Sequence, residues 1–491
     1  MKNRIVRILS IMLVVSMAFL CSCGATTQDN ENEPEKPAKE ETVPKETENK
    51  PEEKAEEVSD DEPEPAPGTT LTICVDENYN QVYSSIFAEY SSLYPDVELR
   101  YELIPNDQNE RETVLNRLRT ALMAGKGADL FLLTNTDEFF ENTEMNMSNG
   151  VFCDLLPLFD EADISMDDFI ESVMKAGQKD GKQYIVPIRY NLGLFLTNDE
   201  TRSIIGEDNF GDTLSLSNGI RALSAIPDVG TKVGSAFGSA QTPKMLAEMF
   251  MPYFTGDPNP VNYSDFTSSF DTDFAKTVLE NIGKSNFAMD LRNKDWDTVY
   301  TEEEFTEFIK SDKYFVFSNN LEYTLYEAAI ADQLGGDVNV DYVPMQNGGL
   351  CAIVNRIAGV RANSANKENA VNMIKILLSE ERQSFMYDHG GSMDGVWPVR
   401  KDCLAPFIQS VIIKGRSPLS IYFHSMIFED TLSSELVDRF VEIENSITEA
   451  RISPPWEAAV MVYNYNNGKT DFDTMMKNTQ GYWYEHLWDA S

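Results

Sequence analysis

From Leu71 to Leu133 the chain switches back and forth between two hydrophobic periods, and this limits its fold more than any other feature. Leu71–Val75 is a short apolar run, and Gln81–Leu93 puts Val82, Ile86, Phe87 and Tyr90 on one helical face. Val97, Leu99, Tyr101 and Leu103 then alternate with period two, which predicts a strand over Val97–Leu103. Thr113–Met123 returns to helical spacing through Val114, Leu115, Leu118, Ala121 and Leu122 and closes at Gly125, before Asp129–Leu133, apolar after its first residue. Strand, helix, strand, helix, strand at this spacing implies a parallel sheet covered by helices. Ligands of such sheets bind beyond the carboxyl ends of the strands, here Asp76–Asn78 and Thr134–Asp137. Further strands are expected at Ile185–Ile188, Leu192–Leu196 and Tyr314–Phe317, and a helix at Asn369–Leu378 with Ala370, Met373, Ile374, Leu377 and Leu378 on its buried face. No internal repeat is evident.

The chain has 491 residues, 42% of them hydrophobic, so it can bury a large core. Its formal net charge of −41 argues against nucleic acid, a polyanion held through Lys and Arg. That charge is uneven. Lys2, Arg4 and Arg7 precede the apolar run Ile8–Leu20, whose 13 residues fall short of the roughly 20 that span a bilayer. A basic tip, a short apolar stretch and small residues form a secretory signal over 1–22. Its end, Leu20-Cys21-Ser22-Cys23-Gly24, resembles the bacterial lipoprotein box, which implies cleavage after Ser22 and acylation of Cys23. The mature chain is then expected on the outer face of the cell membrane, held by its lipid. The stretch 23–69 follows as a tether: residues 25–69 hold 16 acids, five lysines and seven prolines, and cannot bury enough apolar surface to order themselves. Self-repulsion and proline stiffness extend such a segment, which serves as a spacer or as an acidic partner-binding tail.

Several chemistries lack their residues. His389, His424 and His486 are the only histidines, and none has metal-ligand spacing. There is no phosphate-cradling Gly-x-x-x-x-Gly-Lys loop and no Gly-x-Ser-x-Gly elbow. Carboxylate pairs occur throughout a chain with 81 acids and so nominate no catalytic dyad. No cofactor or metal is expected, and a binding protein is favoured over an enzyme. Cys74, Cys153, Cys351 and Cys403 are scattered and read as free thiols, mostly buried.

Five segments in order carry a resemblance. They are Leu122-Met123-Ala124-Gly125-Lys126-Gly127-Ala128-Asp129-Leu130, Gly150-Val151-Phe152-Cys153-Asp154-Leu155, Asp180-Gly181-Lys182-Gln183-Tyr184-Ile185-Val186-Pro187, Leu196-Thr197-Asn198, and Ala358-Gly359-Val360 leading to Leu377-Leu378-Ser379-Glu380-Glu381. Together they resemble landmarks of extracellular solute-binding proteins of carbohydrate ABC transporters (family 1, maltodextrin-binding-protein-like), over roughly residues 70–400. The sequence departs from that pattern at Ala128, usually Pro, and at Thr197, usually Tyr.

The resemblance implies an α/β, two-lobed periplasmic-binding-protein-like (class II) fold with hinge strands and a ligand cleft. Residues 70–190 and 350–392 would form the first lobe, and 191–349 and 393–491 the second. The chain would cross near Arg189–Leu192 and return near Leu350–Val354. A monomer would bind a sugar or oligosaccharide and present it to ABC permease subunits. Sugar sites combine aromatic platforms with polar rims, so Trp397, Trp456 and Tyr323 are candidate platforms, each with core packing as its alternative. Glu77, Asn78, Asn135, Arg189 and Asn191 are candidate polar contacts, with Asp76, Asp137 and Tyr190 beside them. The same fold could take a peptide or another organic solute, and a surface carbohydrate-active enzyme is the alternative of a different class.

Overall fold

The structure, a computed structural model, describes residues 68–80, 82–134, 147, 149–226, 261–262, 267–268, 272–283, 315–318, 321–333, 337–345, 347–384, 397–413, 432–452, 465, 468–475 and 477–478. All belong to one compact unit, Glu64–Ser491. The other unit, Met1–Pro63, lies outside the described residues, and with it the signal, Cys23 and most of the tether. No helix among the described residues is long and apolar enough to cross a membrane.

The expected alternation forms β1 (Thr70–Asp76), α1 (Ser84–Leu93), β2 (Glu98–Ile104), α2 (Gln108–Met123) and β3 (Leu130–Thr134). Helix α2 starts five residues before the apolar spacing because Asp107 caps it, accepting the Glu110 N–H at 3.1 Å. After β4 (Ile185–Asn191) come β5 (Leu194–Thr197), α3 (Thr213–Ser224), α4 (Thr272–Gly283), β6 (Phe315–Ser318), α5 (Leu321–Gln333) and β7 (Asn339–Tyr342). Then follow β8 (Leu350–Val360), α6 (Lys367–Leu377), β9 (Trp397–Pro398), α7 (Leu404–Ile413), α8 (Ser434–Asn445) and β10 (Ile447–Ile452).

Two sheets result. The larger runs β9-β4-β8-β3-β1-β2, with β1 parallel to both β2 and β3. Strand β8 runs antiparallel to β3 and β4, and its first half pairs in parallel with β10. Strand β1 is buried almost throughout, as a central parallel strand covered on both faces must be, which is why it reads as one apolar run. The smaller sheet is antiparallel, with β5 between β6 and β7. Helices α3 and α4 pack together beside it, joined by Asn281 Nδ2 donating to Ser217 Oγ at 3.1 Å.

The chain passes between the sheets at Leu192-Gly193 and again between Tyr342 and Leu350. Val343 N–H donates to Gly193 O at 2.8 Å and ties the two passages together. Helix α8 makes a third connection. Arg439 donates to Val340 O at 2.8 Å and pairs with Asp341 of β7 at 3.3 Å. The next residue, Phe440, meets Trp397, and one turn on Glu444 accepts the Tyr190 hydroxyl at 3.2 Å, both against the large sheet. The stretch 393–491 was assigned to the second lobe, yet both its strands, β9 and β10, join the large sheet. Among the described residues α8 ties it to the small one through β7, and α7 meets α5, which packs on that sheet.

The sequence landmarks are joints of this framework. The carboxylate of Asp129, 4% exposed, accepts from Thr72 N–H at 3.0 Å, Ser364 Oγ at 2.7 Å and Asn366 Nδ2 at 3.1 Å, and it faces Arg361 at 3.4 Å. It thereby fastens β1 to the turn between β8 and α6. Gly125 has φ +72°, and a Cβ there would also strike the Asn363 amide at 2.5 Å. Asp154 Oδ1 accepts both Leu156 N–H and Gln183 N–H at 3.2 Å. Asp180-Gly181, at φ +50° and +74°, turns the short ladder of Gln178–Lys179 with Lys182–Gln183 in the manner of an Asp-Gly hairpin. All four body cysteines are free, Cys74, Cys351 and Cys403 being buried.

Replacing Asp129 with Ala strands a guanidinium and several buried donors and will destabilise the protein by about 3 kcal/mol, measurable by urea unfolding. Glu444 supplies a pH signature. Burial, opposed in part by the Tyr190 hydrogen bond, raises its carboxyl to about 8. The folded state therefore keeps a proton that the unfolded chain releases above about 4.5. This group's contribution to stability is full below that point, falls as pH rises toward 8, and levels off above it. Glu444→Gln will remove the fall, so the melting-temperature gain of the variant over the parent will be larger at pH 8.5 than at pH 5.

Candidate functional site

Polar groups gather where β1 and β3 end and β8 crosses them. Asp76, the last residue of β1, is 5% exposed and meets Arg111 of α2 at 2.8 Å. Arg111 also donates to Pro105 O at 3.1 Å, which holds the ion pair against the end of β2. Glu77 is exposed and accepts the Asn106 N–H at 3.0 Å, stapling the ends of β1 and β2 together. Tyr79 lies against the Arg356 guanidinium, 5.1 Å from the ring centroid, a cation–π contact. Arg356 is itself buried, paired in register with Thr134 of β3 on one side and Arg189 of β4 on the other.

Two hydrogen-bond acceptors here are unmet. Asn191, which ends β4, has a buried Oδ1 without a partner among the described residues, and so does Asn355. Asn355 is the extra residue of a bulge in β8, where Val354 faces Tyr190 and Arg356 faces Arg189. Buried side-chain acceptors are ordinarily satisfied, and these two oxygens at one sheet end are open to incoming donors. Hydroxyl groups meet that need, and an aromatic ring with a buried acid–base pair beside them gives the mixed apolar and polar lining of a small-molecule cleft. Among the described residues no group of His, Cys, Asp or Glu side chains is arranged to hold a metal.

Of the residues expected to touch a ligand, Glu77 and Asn191 lie in this region. Two others belong to the framework. Arg189 is 9% exposed and donates to Arg382 O at 2.8 Å and to Gln383 O at 3.3 Å, with its guanidinium over the Phe407 ring. Burial, and then the charge of Arg356, lowers its pKa to about 10. Trp397 is fully buried and stacks on Tyr190 with centroids 6.0 Å apart, so it offers no exposed platform. Pairing of β9 with β4 draws it in, against the expectation from its glycine-rich loop. Tyr190 is also buried. Asn78 lies in the short helix Glu77–Asn80 and Tyr323 in the first turn of α5. Asn135, Asp137 and Trp456 lie outside the described residues. Sequence reasoning passed over Tyr79, Arg111 and Arg356, although a lone Arg inside the apolar run Leu350–Val360 was a visible signal.

No protein-family model matches the chain, and no curated protein matches it in sequence. Solved structures do match in shape. The sugar-binding protein MalE from Xanthomonas citri is 14% identical with a TM-score of 0.55, over 86% of this chain and 98% of its own. A chitin oligosaccharide binding protein is 16% identical with a TM-score of 0.52, over 85% and 98%. An ABC substrate-binding protein from Listeria monocytogenes, solved with cycloalternan, is 14% identical with a TM-score of 0.50, over 85% and 98%. The fold is that of the two-lobed solute-binding proteins. Asp76, Glu77, Tyr79, Asn191 and Arg356 lie at the strand ends of the large sheet, next to the passages between the two sheets.

Arg189→Met will leave the carbonyls of Arg382 and Gln383 unpaired in the core and cost about 2 kcal/mol of stability. Calorimetric melting of the unliganded protein tests it, and an unchanged melting temperature would show that those hydrogen bonds carry no net weight.

Proposed function

We propose that this chain is the solute receptor of an ABC importer, held on the outer face of the cell membrane through acylated Cys23 and a charged tether, and that it captures a sugar or oligosaccharide. Several features support the reading. The chain has the solute-binding-protein fold, and the matching structures named above are described as binding sugar, chitin oligosaccharide and cycloalternan. The observation that carries it is the pair of unmet acceptors, Asn191 Oδ1 and Asn355 Oδ1, near the Tyr79–Arg356 contact and the Asp76–Arg111 pair. Sugars bring the hydroxyl donors those oxygens lack and an apolar face for the Tyr79 ring. Binding at the passages between the lobes would draw them together, and closure would be what a permease reads. The role is binding rather than catalysis.

A panel of malto-, cello- and chito-oligosaccharides, followed by thermal melting and product analysis, tests this directly. One class will raise the melting temperature by several degrees without turnover, and Tyr79→Ala will weaken that ligand at least tenfold. Product formation would replace the reading with an enzymatic one. Silence across the whole panel would remove the sugar and leave the fold with another organic solute.

A further inference from the structure

A cavity of about 570 Å³ opens beside Glu444. Successive residues of a strand face opposite ways, so Arg189 points to Phe407 and Gln383 while Tyr190 points to Trp397 and α8. The cavity lies beyond Tyr190, between the short helix Glu171–Met174, the start of α7 and the end of α8. Its walls include Ile170, Leu404, Val441 and Ile447, and Glu444 lines it. Glu444 is 5% exposed; one carboxylate oxygen takes the Tyr190 hydroxyl, and the other has no hydrogen-bond partner among the described residues.

The remaining charges around the cavity sort themselves. Lys175 is paired with Glu171 at 2.7 Å on the exposed rim, and Lys401 donates to Asp167 O at 2.9 Å. Asp402 has no ion-pair partner among the described residues, so the carboxylates Asp402 and Glu444 are the groups left to meet a ligand. No aromatic side chain lines the walls, so the cavity lacks the stacking platform a sugar ring uses. Its size suits a small organic molecule.

We propose that this cavity is a second ligand site, separate from the interlobe cleft, which takes an organic ammonium ion with its cationic head on Glu444 and its hydrocarbon body along Ile170, Leu404, Val441 and Ile447. Near neutral pH the Glu444 carboxyl holds a proton, because burial raises it to about 8. An arriving ammonium displaces that proton to the buffer and leaves an ammonium–carboxylate pair that Tyr190 continues to hydrogen-bond. Asp402 adds attraction at the entrance, and the Lys175–Glu171 pair is neutral in sum.

Titration calorimetry of the full chain with hexylammonium chloride tests this, with 1-hexanol and sodium hexanoate as neutral and anionic counterparts of the same length. Hexylammonium will bind at least tenfold more tightly than either. At pH 7 its apparent heat will differ between phosphate and Tris in proportion to a released proton, and its affinity will rise at least fivefold from pH 6 to pH 9. Glu444→Gln keeps an acceptor for Tyr190 and will lose at least tenfold in hexylammonium affinity, together with the proton release. Equal binding of the three probes, or heats independent of buffer, overturns the proposal on the unsubstituted protein, whether or not the variant folds. Unchanged binding in a folded Glu444→Gln protein overturns it as well. Because the cavity and the cleft share no ligand-facing residue, neither result bears on sugar binding.

Discussion

Strand β8 carries most of the architecture. Its 11 residues form hydrogen-bonded ladders with β4 along one edge and with β3 and β10 along the other. A strand shared among three partners must satisfy all three registers, and the bulge at Asn355 is where they are reconciled. The same bulge sets Arg356 opposite the end of β3, where its guanidinium lies against Tyr79. Gly359, farther along, leaves room for the Phe152 ring, which a Cβ would meet at 2.7 Å. Sheet continuity, helix packing and the polar cluster thus depend on one segment.

The parts of the fold that were legible in the sequence are those with local backbone demands. Gly125, Asp154, Asp180-Gly181 and Gly359 each meet a requirement that only one or two residue types satisfy, and Asp129 gathers donors from two other segments at a single buried point. Such residues announce themselves singly, and their order along the chain announces the topology. The candidate site is different. Nothing near Arg189 in sequence reveals that its partners are carbonyls of Arg382 and Gln383, nearly two hundred positions away. Trp397 follows a run of glycines that suggested an exposed loop, but a two-residue ladder with β4 carries it into the core. Tyr79 acquires its meaning from Arg356, a contact between the first strand-end of the body and a strand that arrives after the whole second lobe.

Charge follows a related division. The buried acids Asp76, Asp129 and Asp341 each face at least one arginine, and Asp341 faces both Arg202 and Arg439. Their desolvation is offset by guanidinium partners held in place by backbone carbonyls. Among the described residues Glu444 has only a tyrosine hydroxyl, and burial favours its protonated form.

Two neighbouring polypeptide passages make a joint that can both bend and wring. Helix α8 lies apart from them, gripping the small sheet through Arg439 and the large one through Phe440 and Glu444. A third support away from the line of the other two braces the joint, as a strut does for a gate. The angle at which the gate rests then depends on the length and firmness of that strut, so a molecule seated at its lower end would act on how the two sheets stand to one another.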